Sequence, residues 1–110
     1  MPSMQRNEDV GHGAEEVRET IRQRIIDLLC AGEMSAIEIS QELHIAEKEV
    51  YAHLPHVARS VERLGKKLVI RAFRCLKCGY VFKDRQRFTR PGRCPRCKGT
   101  HLERPLYVIE

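Results

Sequence analysis

The sequence predicts an α+β protein in which a helical first half precedes a small antiparallel sheet that a metal ion holds together. Apolar residues recur at helical spacing through the first half. Four of the five cysteines form two Cys-x-x-Cys pairs in the second half, and short runs of β-branched and aromatic residues lie beside those pairs. Leu, Ile, Val and Phe supply about a quarter of the 110 residues, above the roughly 20% that marks disordered chains. The chain is therefore expected to fold.

Charge divides the chain into two unlike halves. Residues 1–63 carry 7 basic and 12 acidic side chains, whereas residues 64–110 carry 13 basic and 3 acidic side chains. A strongly basic segment favours a polyanionic partner, above all nucleic acid. The alternative is that the two halves attract each other, or that the charges are only solvated.

Membrane and secreted proteins are disfavoured by the sequence. No apolar run approaches the roughly 18 residues of a membrane span, and the start of the chain lacks the apolar stretch of a signal peptide. The odd number of cysteines argues against a disulfide framework. We expect a cytoplasmic protein with reduced cysteines and no membrane partner. Its residues 1–13, rich in Gly and polar side chains, are expected to form a disordered tail.

Residues 14–31 are predicted to form the first helix. Glutamates occupy its first turn, and Gly32 stands at the C-cap position. Cys30 has no neighbouring Cys or His and is expected to be a small buried apolar residue. The apolar positions that face the core at helical spacing are Val17, Ile21, Ile25, Leu28 and Leu29.

Two further helices are predicted before the cysteine-rich half. Ser35 and Glu38 form the pattern of a capping box, which predicts a short helix from residue 36 to about residue 43. A third helix follows and ends at Gly65, with Pro55 inside it as the expected site of a kink or an early end. Two helices joined by a tight turn form the helix-turn-helix arrangement. The apolar stripe of the third helix steps by four and three residues through Val50, Leu54, Val57, Val61 and Leu64.

The stretch from Ile37 to Leu54, with its apolar turn residue, resembles the winged helix-turn-helix domains of bacterial and archaeal regulators. The resemblance implies a three-helix domain, a recognition helix that follows the turn, and wing strand material at residues 66–71. The sequence departs from the pattern at His44, where Gly is usual, and at Glu47 and Glu49, because acidic side chains at the start of a recognition helix oppose phosphate binding.

Three groups of side chains are expected to contact DNA. They are the polar residues of the recognition helix, the cations of the wing and the arginines of the basic second half. Solvated, intramolecular or packing roles are the alternative for the helix residues. The candidates are Lys48, Tyr51, His53 and His56 on the recognition helix, Lys66, Lys67 and Arg71 on the wing, and Arg85 and Arg87 in the second half.

Cys75, Cys78, Cys94 and Cys97 form Cys-x2-Cys, a gap of fifteen residues and a second Cys-x2-Cys. A two-residue gap lets both thiolates of a pair reach one ion, and two pairs give tetrahedral S4 coordination. The spacing predicts one structural Zn²⁺ per chain. Iron is the alternative, because thiolates also suit it and the Cys-Gly-Tyr and Cys-Pro details are similar to those of rubredoxins. Four protein ligands leave no open coordination position, so a catalytic metal is not expected.

Short strands beside the cysteine pairs predict a zinc ribbon with a three-stranded antiparallel sheet. The strands are expected at residues 80–82, 87–89 and 106–109, and a Pro-Gly turn leads into the second pair. The chain is thereby divided into a winged helix-turn-helix domain at residues 14–73 and a zinc-ribbon domain at residues 74–110.

The whole chain resembles predicted prokaryotic transcriptional regulators in which a helix-turn-helix domain is fused to a zinc ribbon. The resemblance implies a regulator that binds double-stranded DNA, with phosphate contacts mainly from the wing and the ribbon. A homodimer is one possible state, since many winged-helix regulators dimerise. The alternative is a protein-interaction adaptor in a transcription or RNA-processing assembly, and a third candidate is an iron redox carrier. No enzyme is expected, because the sequence shows no nucleophile and base pairing, no phosphate loop and no open metal site.

Overall fold

The computed structural model describes residues 10–83 and 85–110, with side chains from residue 16 onward. In chain order the elements are α1 (Val10–Ala31), β1 (Met34–Ser35), α2 (Ala36–Leu43), α3 (Glu47–Glu62), β2 (Leu68–Ile70), β3 (Phe73–Arg74), β4 (Val81–Phe82) and β5 (Leu106–Ile109). Three helices and a small metal-binding sheet region therefore follow each other as predicted. Within the described residues, no helix has the length and apolar character needed to cross a membrane.

The first helix begins at Val10, four residues before its predicted start. Residues 10–13 of the predicted tail are thus helical, and residues 1–9 lie outside the described residues. Ile25 and Leu29 on α1 are fully buried, whereas Val17 is 56% exposed. Cys30 is exposed, contrary to the prediction. It follows Leu29 by one position, which turns its side chain about 100° away from the buried face.

The turn between α2 and α3 is formed by a residue in the left-handed conformation. The capping box that starts α2 is present: Glu38 N–H donates to Ser35 Oγ at 3.3 Å, and Ser35 N–H donates to Glu38 Oε1 at 2.8 Å. At the other end His44 has φ 57° and ψ 44°, and the amide of Ile45 donates to the Ser40 carbonyl at 3.0 Å. His44 thus adopts the conformation for which Gly is usual at a helix C-terminus.

Helix α3 continues through Pro55 to Glu62, so the predicted early end is wrong. Its buried face explains the continuity, since Val57 and Val61 beyond the proline have no exposed surface. Leu64, predicted to extend this face, lies past the end of the helix and is 68% exposed.

The three helices pack on a sheet whose strand order is β1-β5-β2. Strand β5 is central and antiparallel to both neighbours, with Tyr107 opposite Met34 on one side and Ile70 on the other. Residues 106–109 were predicted to be the third strand of the ribbon. They instead form the central strand of the sheet on which the three helices pack, and these helices and this sheet are called the helical domain below. Tyr107 and Ile109 are buried in the core of this domain, the helical core.

The ribbon sheet therefore has two strands, β3 and β4, with one further bridge between Cys75 and Leu102. Phe73 and Phe82 lie opposite each other in this sheet and stack with their ring centroids 4.6 Å apart. The chain thus passes from the helical domain into the ribbon after β2 and returns to the helical domain at β5.

Residues 87–89 form no strand, in contrast to the prediction. Phe88 packs against the helical core, and its carbonyl accepts a hydrogen bond from the hydroxyl of Tyr107 on β5. This segment therefore serves as a contact between the ribbon and the helical domain.

Candidate metal centre and basic surface

Four cysteine sulfurs converge at the end of the ribbon. The Sγ atoms of Cys75 and Cys97 are 3.6 Å apart, those of Cys78 and Cys94 are 3.7 Å apart, and all four lie within 4.8 Å of one another. Zinc–sulfur bonds of about 2.3 Å give a tetrahedron with edges of about 3.8 Å. The four sulfurs therefore have the spacing of a tetrathiolate zinc site.

The two cysteine pairs are held by matching turns. The Gly79 amide donates to the Cys75 carbonyl at 2.9 Å, and the Lys98 amide donates to the Cys94 carbonyl at 2.8 Å. Backbone amides also point at sulfur, since Cys78 N–H lies 3.5 Å from Cys75 Sγ. In the second turn the amide of Arg96 donates to Cys94 Sγ at 3.3 Å. These N–H donors stabilise the negative charge of the thiolates independently of a metal ion.

Each turn requires a residue with positive φ. Gly79 supplies it in the first turn with φ 80°, and Lys98 supplies it in the second with φ 65°. Gly99 has a different role, because a Cβ at that position would lie 3.2 Å from Cys97 Sγ. Its amide instead approaches that sulfur to 3.4 Å.

Two of the four thiols, Cys75 and Cys94, are shifted toward the thiolate form that metals bind. The Tyr80 amide lowers the pKa of Cys78, but burial and the neighbouring sulfurs outweigh it and raise that pKa to about 11. The backbone amide of Cys78 is the main cause that lowers the pKa of Cys75 to about 6. Burial raises the pKa of Cys94, but the amides of Cys97 and Arg96 outweigh burial, so its pKa is lowered overall. Cys75 and Cys94 are buried, and four thiolates complete the tetrahedron. The site fits one zinc ion with a structural role.

Two family models match the chain. The model described as PF0610-like, N-terminal, matches residues 20–69, and the model described as PF0610 rubredoxin-like zinc beta-ribbon domain matches residues 72–110. The chain is also similar to the solution NMR structure of protein PF0610 from Pyrococcus furiosus, with 32% sequence identity and a TM-score of 0.71. The match covers 84% of this chain and 90% of that chain. The chain belongs to the PF0610 family. No curated protein matches it.

Membership in the PF0610 family agrees with the geometry of the metal site. The family description names a rubredoxin-like zinc ribbon, and all four cysteines lie within the matched residues. Cys75, Cys78, Cys94 and Cys97 therefore bind one Zn²⁺, as the sequence predicted.

The candidate DNA contacts differ in accessibility. Five of them are exposed, and Arg85 is half-buried. The remaining three, Tyr51, His53 and Arg71, are engaged within the protein. The exposed candidates are Lys48 and His56 on α3, Lys66 and Lys67 in the turn before β2, and Arg87 in the loop after β4.

His53 does not face outward, contrary to the prediction. Its side chain is only 6% exposed, and its Nδ1 accepts a hydrogen bond of 3.1 Å from Nε of Arg22 on α1. Burial is the main cause that lowers its pKa, followed by the charge of Arg22. The signal was present in the sequence, because position 53 is three residues after Val50 and four before Val57, within the apolar stripe of α3.

Tyr51 and Arg71 are also tied to partners within the chain. Tyr51 is half-buried and its hydroxyl donates to Glu47 at 2.9 Å. Burial and this bond raise the pKa of Tyr51 to about 12. Arg71 forms ion pairs with Glu33 at 2.6 Å and with Glu110 at 2.7 Å. Both side chains hold local structure together, and neither is an unengaged phosphate ligand.

The ion pairs of Arg71 could not be found from the sequence. Glu33 is 38 residues away and Glu110 is 39 residues away. They meet because β5 pairs with both β1 and β2, which brings the ends of three distant segments together.

Proposed function

We propose that the protein is a DNA-binding transcriptional regulator with a winged helix-turn-helix domain and a structural zinc ribbon. In this proposal it is a cytoplasmic, non-enzymatic protein. One observation carries the proposal. Of the 13 basic side chains in residues 64–110, Arg71 and Arg74 alone form ion pairs among the described residues. A surface of unneutralised cations favours a polyanion such as the DNA backbone.

The arrangement of elements supports the winged-helix part of the proposal. Helix α2, the left-handed turn at His44 and helix α3 form consecutive elements, and β2, which pairs with β5, follows α3. In this proposal β2 and β5 are the wing strands. In such domains the second of these helices enters the major groove while the wing contacts the backbone. Lys66 and Lys67 lie exposed in the turn that precedes β2, here called the wing turn. In this proposal they contact phosphate.

The acidic start of α3 has a structural explanation that reduces its conflict with DNA binding. Glu49 accepts a hydrogen bond from the Ala46 amide at 3.4 Å, and Glu47 accepts one from Tyr51. Carboxylates near a helix N-terminus also stabilise the helix dipole. We therefore assign few base contacts to α3, and these come from Lys48 and His56. Most phosphate contacts are assigned to the wing turn and to the loop after β4, called the ribbon loop, which carries Arg85 and Arg87.

The test compares two double variants with the same loss of charge. Lys66→Gln with Arg87→Gln removes one wing cation and one ribbon cation. Arg18→Gln with Arg24→Gln removes two exposed cations of α1 and is the control. Binding of a labelled mixed-sequence duplex is followed by fluorescence anisotropy across a salt series.

We expect the first variant to bind more weakly, with a log–log salt slope reduced by about 1.8, since each lost phosphate contact removes about 0.9. The control should keep the slope of the unmodified protein. Equal slopes for all three proteins would contradict the assignment of phosphate contacts to the wing turn and the ribbon.

The second candidate function is a protein-interaction adaptor. The observation that favours it is the pair of carboxylates at the start of α3, the helix that would read DNA; Glu49 is exposed and Glu47 is half-buried. An acidic helical domain and a basic ribbon would then bind different protein partners. Zinc-loaded protein that fails to bind any duplex at low salt would favour this candidate over the DNA-binding proposal.

The oligomeric state belongs to the same proposal. A homodimer would place two helical domains on two half-sites. Sedimentation velocity of the zinc-loaded protein, with and without duplex, distinguishes one copy from two. A single copy on DNA would contradict the dimer but would leave the DNA-binding proposal in place.

A further inference from the structure

A groove lies where helix α3, strand β2 and the loop after β4 meet. Its volume is about 320 Å³. Small-molecule sites in proteins have volumes of about 300 to 1,000 Å³. Ala58, Ile70 and Phe88 give the groove an apolar floor, and they come from both the helical domain and the ribbon. The groove is therefore a junction between the two parts of the molecule.

The charges that line the groove favour an anion. Lys67 and Arg85 line it, and Glu62 is the one acidic residue among the described lining residues. Glu62 is exposed at the end of α3, whereas Arg85 is half-buried. A half-buried guanidinium is less screened by water than an exposed carboxylate, so it dominates the local field.

Arg85 is held in position at the groove. Its Nη2 donates to the Thr89 carbonyl at 3.0 Å, which fixes the guanidinium, and the residue lines the groove. Carboxylates accept charge-assisted hydrogen bonds from guanidinium N–H groups, and these are stronger than bonds between neutral groups. A fixed guanidinium beside an apolar surface therefore favours a ligand that carries a carboxylate.

We propose that this groove binds a small organic carboxylate with an apolar body. Its carboxylate lies on Arg85 and Lys67, and its apolar body lies on Ile70 and Phe88. Such a ligand contacts β2, α3 and the ribbon loop at once. Lys67 and Arg85 are also candidate DNA contacts, but the test of this site uses no nucleic acid, so its failure and the failure of the DNA-binding proposal are distinguishable.

The test uses sodium phenylacetate as the probe and 2-phenylethanol as its uncharged counterpart. Amide chemical shifts of the ¹⁵N-labelled, zinc-loaded protein are followed during each titration. We expect phenylacetate to cause saturable shifts at Lys67, Ile70 and Phe88, and we expect 2-phenylethanol to bind at least about tenfold more weakly.

Arg85→Gln should weaken phenylacetate binding by about tenfold or more. Arg93→Gln removes an exposed arginine outside the groove and should leave binding unchanged. If Arg85→Gln lacks a native spectrum, Lys67→Gln replaces it, and weaker binding is again expected.

Three results would overturn the proposal. The first is the absence of saturable shifts at millimolar phenylacetate, and the second is equal binding of the two probes. The third concerns location, since Arg85 also lines a second groove in the ribbon beside Tyr80 and Val81. Shifts confined to those two residues would place the carboxylate site there and not at the junction.

Discussion

The helical domain and the ribbon differ in how much apolar surface each one buries. Among the residues whose side chains the structure describes, the helical core contains twelve buried residues drawn from three helices and two strands. The ribbon core contains five, and two of these are the metal ligands Cys75 and Cys94. A core this small rarely folds without a metal or a disulfide. The same chain therefore relies on hydrophobic burial in the helical domain and on coordination bonds in the ribbon.

The two regions are nevertheless connected at more than one point. The chain enters the ribbon after β2 and returns through β5, the central strand of the helical sheet. Phe88 of the ribbon packs on the helical core, and its carbonyl accepts the Tyr107 hydroxyl. Changes in either region can therefore be used to measure how strongly one depends on the other.

Cys94→Ser is expected to have the largest effect. Loss of one thiolate should release zinc and unfold the ribbon, because structural zinc contributes about 10 to 16 kcal/mol in small zinc domains. The helical domain should stay folded but become less stable, since β5 would then be held by a long flexible connection. Zinc content and ¹⁵N spectra check both expectations.

The control for this variant is Cys30→Ser, which changes an exposed cysteine outside the metal site. It should retain one zinc per chain and a native spectrum. Ribbon amides with native shifts in zinc-free Cys94→Ser would contradict the structural role of the metal.

Leu54→Ala addresses the other side of the comparison. Leu54 is fully buried in the helical core, so its truncation should lower the free energy of unfolding by about 2 to 5 kcal/mol. Urea denaturation measures the loss, and zinc content should stay at one per chain. Leu64→Ala, at a residue that is 68% exposed, should change stability by less than about 0.5 kcal/mol. Equal effects of the two changes would refute the core assignment.

Tyr107→Phe tests the connection between the two regions. The change keeps the buried ring but removes the hydroxyl that donates to the Phe88 carbonyl. We expect a loss of about 1 to 2 kcal/mol, because a part-buried carbonyl is left without its donor. Urea denaturation gives the loss, and the amide shifts of residues 87–89 report the local change. Unchanged stability together with unchanged shifts would show that the contact does not couple the regions.

The smallest predicted effect is a pH dependence confined to the helical domain. The folded-state pKa of His53 is lowered from 6.5 by burial and by Arg22, so the unfolded chain binds its proton more tightly. Stability should therefore be fully present above about pH 6.5 and should fall as the pH drops through the lowered pKa. Urea denaturation at several pH values measures this.

His53→Gln should flatten that dependence, whereas His101→Gln, at an exposed residue, should not. An unchanged pH dependence in His53→Gln would show that another group causes it.

Local sequence patterns predicted much of the fold and the four ligands of the metal site. The Ser35 and Glu38 capping box, the apolar stripe of α3 and the spacing of the four cysteines depend on neighbours within a few residues. Such short-range signals can be read without knowing the tertiary structure.

What could not be predicted depends on contacts between distant residues. A four-residue strand such as β5 can pair with any exposed sheet edge. The sequence of residues 106–109 does not indicate that β1 and β2 are its partners. The same holds for the ion pairs of Arg71, which follow from that pairing. Phe88 was predicted to lie in a strand, because aromatic residues are common in strands. The local pattern is equally compatible with a loop residue whose ring packs against a distant core, which is the role that Phe88 has.

The most direct test of the proposed function is the salt dependence of DNA binding by the unmodified, zinc-loaded protein. Fluorescence anisotropy with a labelled mixed-sequence duplex gives the association constant at each salt concentration. We predict that log K falls linearly with log salt, with a slope steeper than about −3, as expected for four or more phosphate contacts. Absence of binding at low salt would contradict the proposal, because it would mean that the exposed cations of the wing turn and the ribbon do not bind DNA.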